Sequence, residues 1–150
     1  DNYDLQSGHV IAALIRKFYE ATKSNAQSIE VWGSGKPKRE FLSSTDLAEA
    51  CVFLMNLVDQ KFNSLLQGDS SENSYPIVNV GAGEDISIKD LSLLIAKISG
   101  FKGDVIFDKT KLDGTPRKLL NVDILTQLGW TANISISDGI RQALKDFEHS

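Results

Sequence analysis

Apolar residues recur along the chain at helical spacing in several stretches and alternate with polar ones in others. Val10, Ile11, Leu14, Ile15 and Phe18 share one face of a helix, with Arg16, Lys17 and Glu20 turned away, which predicts a helix from His9 to about Ser24-Asn25. Ser7 and Gly8 stand where it would begin. Ser28 to Trp32 alternates polar and apolar, the pattern of a strand, and Gly33-Ser34-Gly35 turns the chain. A second helix is predicted from Ser44 to Asp46 onward, capped by either residue and running through Leu47, Ala50, Cys51, Leu54, Met55, Val58 and Phe62. Phe41 and Leu42 before it are expected to be buried. Gln67 to Pro76 reads as a surface loop and Ile77 to Val80 as a short strand. Ser87 with Asp90 caps a third helix whose inner face is Leu91, Leu94, Ile95 and Ile98, and Gly100 stops it. A strand at Asp104 to Phe107, a loop over 108–117, a short helix from Asp123 to Leu128 and a last helix from Ser135 or Ser137 to about 148 follow. Strands alternating with helices predict an α/β fold, with a small mixed or parallel sheet and several packed helices.

Composition narrows the class. With 150 residues and 41% hydrophobic content, the chain suits one compact domain with a real core. A formal net charge of -4 gives no general electrostatic reason to bind nucleic acid or an anionic membrane, although a local pocket can still hold a phosphate. Cys51 is the single cysteine, so no internal disulfide forms and a reducing, cytoplasmic setting is suited. No apolar run is long enough to span a bilayer, and the first residues lack the pattern of a signal peptide. The opening without methionine is expected of a processed or truncated product. His9, His149 and Cys51 are too few and too scattered for a metal site. Gly33-Ser34-Gly35 and Gly81-Ala82-Gly83 each lack the third glycine of a dinucleotide fingerprint and read as turns, so no cofactor-binding residue is expected.

Four places have residues suited to chemistry. His9 opens an amphipathic helix, and histidine is the residue type suited to carry protons at physiological pH, which fits a proton carrier as well as a plain surface histidine. Arg39, after Lys36 and Lys38, offers a guanidinium fork that could clamp a phosphate; the alternative is a solvated basic loop. Trp32 could stack on a planar base or fill a strand-end core position. Arg117-Lys118, after Gly114-Thr115-Pro116, is a second basic loop with the same two readings. An aromatic platform and two basic loops would suit a nucleoside diphosphate if the fold brought them together.

The stretches His9 to Phe18, Val31 to Leu42, Asn79 to Gly83 and Phe107 to Leu120 resemble the GDP-L-fucose synthase family. These are extended short-chain dehydrogenase/reductases within the NAD-dependent epimerase/dehydratase family. Trp32-Gly33-Ser34-Gly35-Lys36-Pro37-Lys38-Arg39-Glu40-Phe41 and Asp113-Gly114-Thr115-Pro116-Arg117-Lys118 carry the resemblance most specifically. It implies an enzyme that epimerises GDP-4-keto-6-deoxy-D-mannose at C3 and C5 and reduces its C4 ketone with NADP(H) to give GDP-L-fucose. His9 matches the family's catalytic acid, and Trp32, Arg39 and Lys118 match positions that contact the GDP moiety. Lys17 falls where an arginine commonly contacts the nucleotide. Ser43-Ser44-Thr45-Asp46 departs from the family's usual His-Val-Asp-Asp, which implies altered capping there.

The resemblance further implies that residues 1–150 form the C-terminal substrate-binding portion, with no complete Rossmann domain. The NADP-binding domain and the Tyr-x-x-x-Lys group would then lie in a missing N-terminal partner. The full-length enzyme is expected to be a cytoplasmic homodimer, and this chain inactive alone. Two alternatives stand beside this reading: the substrate domain of another nucleotide-sugar epimerase, dehydratase or reductase, and a non-catalytic interaction or regulatory module.

Overall fold

In the computed structural model, which describes residues 2–4, 8–58, 61 and 77–149, the chain divides into two compact units. The first comprises residues 1–39, 85–118 and 135–150; the second comprises 40–84 and 119–134.

The first unit contains α1 (Val10–Lys23), β1 (Ser28–Trp32), β2 (Lys38–Arg39), β3 (Ile86–Ser87), α3 (Ile88–Ser99), β4 (Asp104–Asp108), β5 (Arg117–Lys118) and α5 (Ile136–Glu148). The helices α1, α3 and α5 pack on one another through the faces that the apolar spacing marked. Phe18, Ile15, Leu91, Ile95 and Ile140 are buried among them, and the Phe18 ring meets Phe101 edge-on at 5.6 Å between centroids. Burial of one such side chain contributes roughly 1.5–3 kcal/mol. Each helix ends for a local reason. Asn25 takes the left-handed conformation after α1 with φ 51°, and Ala26 N–H donates to the Ala21 carbonyl. Gly100 does the same for α3 with φ 77°. Ser135 caps α5 by accepting from Asp138 N–H at 3.1 Å.

β1 and β4 pair in parallel, Ser28 with Asp104 through Trp32 with Asp108. A parallel pair needs a crossover, and α3 lies on the one between them. The expectation of a purely substrate-binding, non-Rossmann portion is therefore corrected, because a parallel β–α–β connection is the building block of Rossmann-type sheets. A second sheet has the order β3-β2-β5, mixed in sense: β2 is antiparallel to β3 and parallel to β5. Both predicted basic loops thus contain short paired strands.

The second unit contains α2 (Ser44–Met55) and α4 (Asp123–Leu128). Ala50, Leu125 and Trp130 form its core, with Leu42, Phe53, Leu54, Val78, Val80 and Ala132 packed around them. The cap of α2 differs from expectation. Ser43 accepts from Thr45 N–H at 3.2 Å, whereas Asp46 is 1% exposed and accepts from Asn133 N–H at 3.2 Å and Ile134 N–H at 2.9 Å. The helix ends at Met55, short of Val58. Phe41 and Leu42 are half-buried. Ile77 to Val80 forms no strand, and Val78 and Val80 pack against the core. The expected positions at Ser7, Phe62 and Gln67 to Pro76 lie outside the described residues. Glu40 ties this unit together: its carboxylate accepts from Gly83 N–H at 2.7 Å and Leu120 N–H at 2.9 Å.

Candidate functional site

Alternation along β1 buries Ile29 and Val31 and sends Ser28, Glu30 and Trp32 outward. Trp32, at the strand end, is 60% exposed, so its indole is not a core aromatic. Lys111 Nζ stands 5.7 Å from the ring centroid, within cation–π range. The turn bearing Lys111 is held by Asp108, whose Oδ1 accepts from the Thr110 hydroxyl at 2.6 Å and Thr110 N–H at 2.9 Å. Those two bonds, the hydroxyl first, and the Lys111 charge lower the Asp108 pKa against the opposing effect of burial.

The turn after Trp32 is latched from across the sequence. Asp113 Oδ1 accepts from Ser34 N–H at 2.8 Å, and its Oδ2 accepts from the Ser34 hydroxyl at 2.6 Å. The Ser34 hydroxyl, then its N–H, and the Lys36 charge lower the Asp113 pKa, against desolvation. Gly33 is required here: its φ is +85° and a Cβ would lie 2.5 Å from Asp113 Oδ1. The first-turn donors of α3 are also occupied. Lys89 N–H donates to the Gly35 carbonyl and Ile88 N–H to the Pro37 carbonyl, both at 2.9 Å, and Asp90 N–H to the Ser87 hydroxyl at 3.0 Å. Any anion bound to this segment is therefore held by side chains and not by that helix terminus.

The mixed sheet sorts four cations onto two faces. Lys38 is the Cα partner of Arg117, and Arg39 of Lys118. Register partners share a face and successive residues alternate, so Lys38 and Arg117 point one way and Arg39 and Lys118 the other. On the first face stands Asp85. Its side chain is 6% exposed, accepts from Arg117 Nε and lies 3.6 Å from Lys38 Nζ. The Arg117 hydrogen bond, with the Arg117 and Lys38 charges behind it, lowers its pKa against desolvation. On the second face, no carboxylate among the described residues pairs with Arg39 or Lys118. Arg39 donates through Nη1 to the Lys38 carbonyl at 2.6 Å, and its Nη2 lies 3.1 Å from where a Cβ on Gly114 would stand. Two like charges in register with no counterion among the described residues suit an anionic ligand.

The other two predicted residues stand differently. Lys17 Nζ donates to the Glu30 carbonyl at 2.7 Å, on the strand that presents Trp32. His9 is the exposed N-cap of α1, with extended backbone and no side-chain capping bond, outside the register that joins Arg39 to Lys118. Sequence reasoning missed Asp85, Ser34, Asp113 and Lys111 as participants. Asp113 lay inside a quoted motif, but its partner is 79 residues away. A Tyr-x-x-x-Lys spacing also occurs at Tyr19 and Lys23; there Lys23 Nζ stands 5.2 Å from the Tyr19 ring centroid, and that ring packs edge-on against Phe147. A cleft of about 240 Å³ lies instead at the end of α1, lined by residues such as Thr22, Asn25, Phe101 and Lys102. Among the described residues there is no group of metal-ligating side chains, and no helix is long and apolar enough to cross a membrane.

Comparison with known proteins supplies the family. A model described as "NAD dependent epimerase/dehydratase family" matches residues 1–81. The chain is 45% identical over 142 residues to the putative GDP-L-fucose synthase 2 of Arabidopsis thaliana, covering 95% of this chain and 39% of that protein. It is 45% identical over 150 residues to the GDP-L-fucose synthase of Escherichia coli (strain K12), covering 98% and 44%. Among solved structures, a GDP-6-OMe-4-keto-L-xylo-heptose reductase from C. jejuni superposes with a TM-score of 0.85 at 29% identity, over 99% of this chain and 50% of that one. The chain thus spans about two fifths of the length of these curated relatives. The match at residues 1–81 corrects three expectations: that the chain is only a C-terminal substrate part, that NADP(H) is bound by a separate missing piece, and that a missing Rossmann domain is its partner. With residues 1–81 of 150 matching its model, the chain belongs to the NAD dependent epimerase/dehydratase family.

Proposed function

We propose that this chain holds the nucleotide diphosphate of a GDP-sugar in an NADP(H)-dependent epimerase/reductase of the GDP-L-fucose synthase type. The observation that supports it is the Arg39–Lys118 register pair, two cations side by side on one sheet face with no acidic partner among the described residues. A diphosphate carries the charge and the acceptor oxygens that such a pair lacks. Trp32, exposed at the end of β1, provides a flat face for the base or ribose, with Lys111 beside it. Lys17, held at the Glu30 carbonyl, has the charge but not the fork of an arginine and contributes less.

In this reading Arg39 and Lys118 act by orientation. They fix the diphosphate and so place the keto sugar, which lowers the entropic part of the barrier. A proton on a carbon beside the C4 ketone is acidified by that carbonyl. A base removes that proton to leave an enolate, and His9 serves as the acid that returns a proton to the opposite face of the carbon, inverting it. NADPH supplies the hydride that reduces the C4 ketone. Cys51, single and exposed, accords with a cytoplasmic setting. A GDP-heptose reductase is the second reading, favoured by the C. jejuni likeness. Both readings need the same GDP-binding residues.

Calorimetric titration of the chain with GDP, with UDP in parallel, tests the proposal. The expected outcome is binding of GDP in preference to UDP, weakened about tenfold or more in Arg39→Ala. A preference for UDP, or GDP binding indifferent to Arg39, would overturn it.

A further inference from the structure

We propose that Asp85 is a positioning residue for the diphosphate: it neutralises the Lys38–Arg117 face of the mixed sheet and thereby keeps Arg39 and Lys118 aligned, as an uncompensated pair, on the other face. The inference rests on the reading of Arg39 and Lys118 as the diphosphate clamp. It begins from the pairing of β2 with β5, which sets cation opposite cation twice over, Lys38 with Arg117 and Arg39 with Lys118. Like charges directly opposite destabilise a strand pair. These strands are two residues each, so little else in the ladder resists the repulsion.

The two faces meet this differently. Asp85 directly precedes β3, the third strand of the sheet, and its nearly covered carboxylate touches both cations of the first face. It therefore spans all three strands with one charge. The same group takes Lys38 and Arg117 out of competition for a ligand, since a cation already paired gains less from a phosphate. On the second face no acid among the described residues plays that part, and a bound diphosphate completes the charge balance that Asp85 supplies on the first. The sheet thus has an internal counterion on one side and a place for an external one on the other. Removing the internal one leaves Lys38 and Arg117 to repel, opens the β2–β5 register and separates Arg39 from Lys118.

The test is calorimetric GDP affinity of the wild-type chain, of Asp85→Asn and of the double variant Asp85→Asn with Lys38→Gln. Circular dichroism and urea unfolding establish that each is folded. The asparagine amide keeps the shape and an acceptor for Arg117 but removes the charge. The expected result is a five- to tenfold loss of GDP affinity in Asp85→Asn, roughly the size seen for directly coupled neighbours. Removing Lys38 as well restores affinity to within about twofold, because one cation on that face needs no counterion. Charge balance is the property that rescue reports; a carboxylate acting only as a packing group would show a further loss, not recovery, in the double variant. Unchanged affinity in folded Asp85→Asn, or absence of rescue, overturns the inference while the diphosphate clamp stands. Failure of the wild-type chain to bind GDP overturns the clamp, and this inference with it.

Discussion

Replacing Lys118 by glutamine is predicted to change stability and affinity in opposite directions. Lys118 and Arg39 are Cα partners on adjacent strands, which places their backbones about 4.8 Å apart. The Cβ atoms of directly opposite residues lie about 5 Å apart, and a charge separation of roughly 6 Å is taken for the two long side chains. At that separation the repulsion is about 0.7 kcal/mol in a water-like dielectric, and physiological salt reduces it further. Lys118 is exposed, so a solvent-screened value of about 0.3–0.7 kcal/mol is the appropriate one. Lys118→Gln removes this repulsion and is expected to raise the ligand-free Tm by about 1–2 °C for a chain of this size. In the proposed clamp the same substitution removes a charge-assisted contact to the diphosphate, of about 1.5–3 kcal/mol. GDP affinity should fall about tenfold to a hundredfold. Differential scanning fluorimetry without ligand and calorimetry with GDP read the two effects on one preparation. A Lys118→Gln chain that melts lower than wild type, or binds GDP equally well, would show that the register pair is not an electrostatically strained clamp.

Three further outcomes follow from the same structure. Asp46→Ala leaves the Asn133 and Ile134 amides without their buried acceptor and should destabilise the fold by about 2–4 kcal/mol in urea unfolding; a loss below about 0.5 kcal/mol would mean that water or backbone shifts satisfy those amides. Gly33→Ala forces a Cβ to within 2.5 Å of Asp113 Oδ1 at a φ of +85°, so it should cost about 1–3 kcal/mol and weaken GDP binding together, and a Tm equal to wild type would refute the latch. Asp85, Asp108, Asp113 and Asp138 all have folded pKa values lowered from the ordinary 3.8, chiefly by hydrogen bonds from Arg117, Thr110, Ser34 and Ser135 respectively. The unfolded chain then binds more protons in acid, so their contribution is complete above the unfolded value and is lost as pH falls through the lowered folded values. Tm should be level between about pH 5 and 6 and decline below about pH 4, and a Tm that rises on acidification through that range would contradict the assignment.

Local chemistry was legible in the sequence where a residue's partner lies within a turn or two. Ser87 with Asp90, the glycine that ends α3, and the alternation of β1 all act over a few residues, and each stands where the pattern placed it. Asp46 shows the converse. Its spacing to Glu49 mimics a capping box, but its carboxylate is claimed by amides 87 and 88 residues away. Ile77 to Val80 reads as a short strand, yet Val78 and Val80 pack against the core without a ladder partner, because apolar residues report burial and not strand pairing. The two-residue strands β2, β3 and β5 cover only a single period of strand alternation, too little to read as a pattern, so their existence is a property of tertiary pairing.

The same distinction governs the candidate site. Motif resemblance singled out Arg39 and Lys118, but as members of two separate basic loops; that they are neighbours follows only from the parallel register of β2 and β5. Lys38 and Arg117, equally basic and one residue away from each, are the cations already satisfied by Asp85. Nothing in the local sequence separates Lys38 and Arg117 from Arg39 and Lys118, because the difference depends on which sheet face the acid just before a third strand reaches. A basic loop therefore becomes a candidate anion site only after its internal counterions are located, and here that accounting leaves Arg39 and Lys118 on one side of a sheet whose other side is closed.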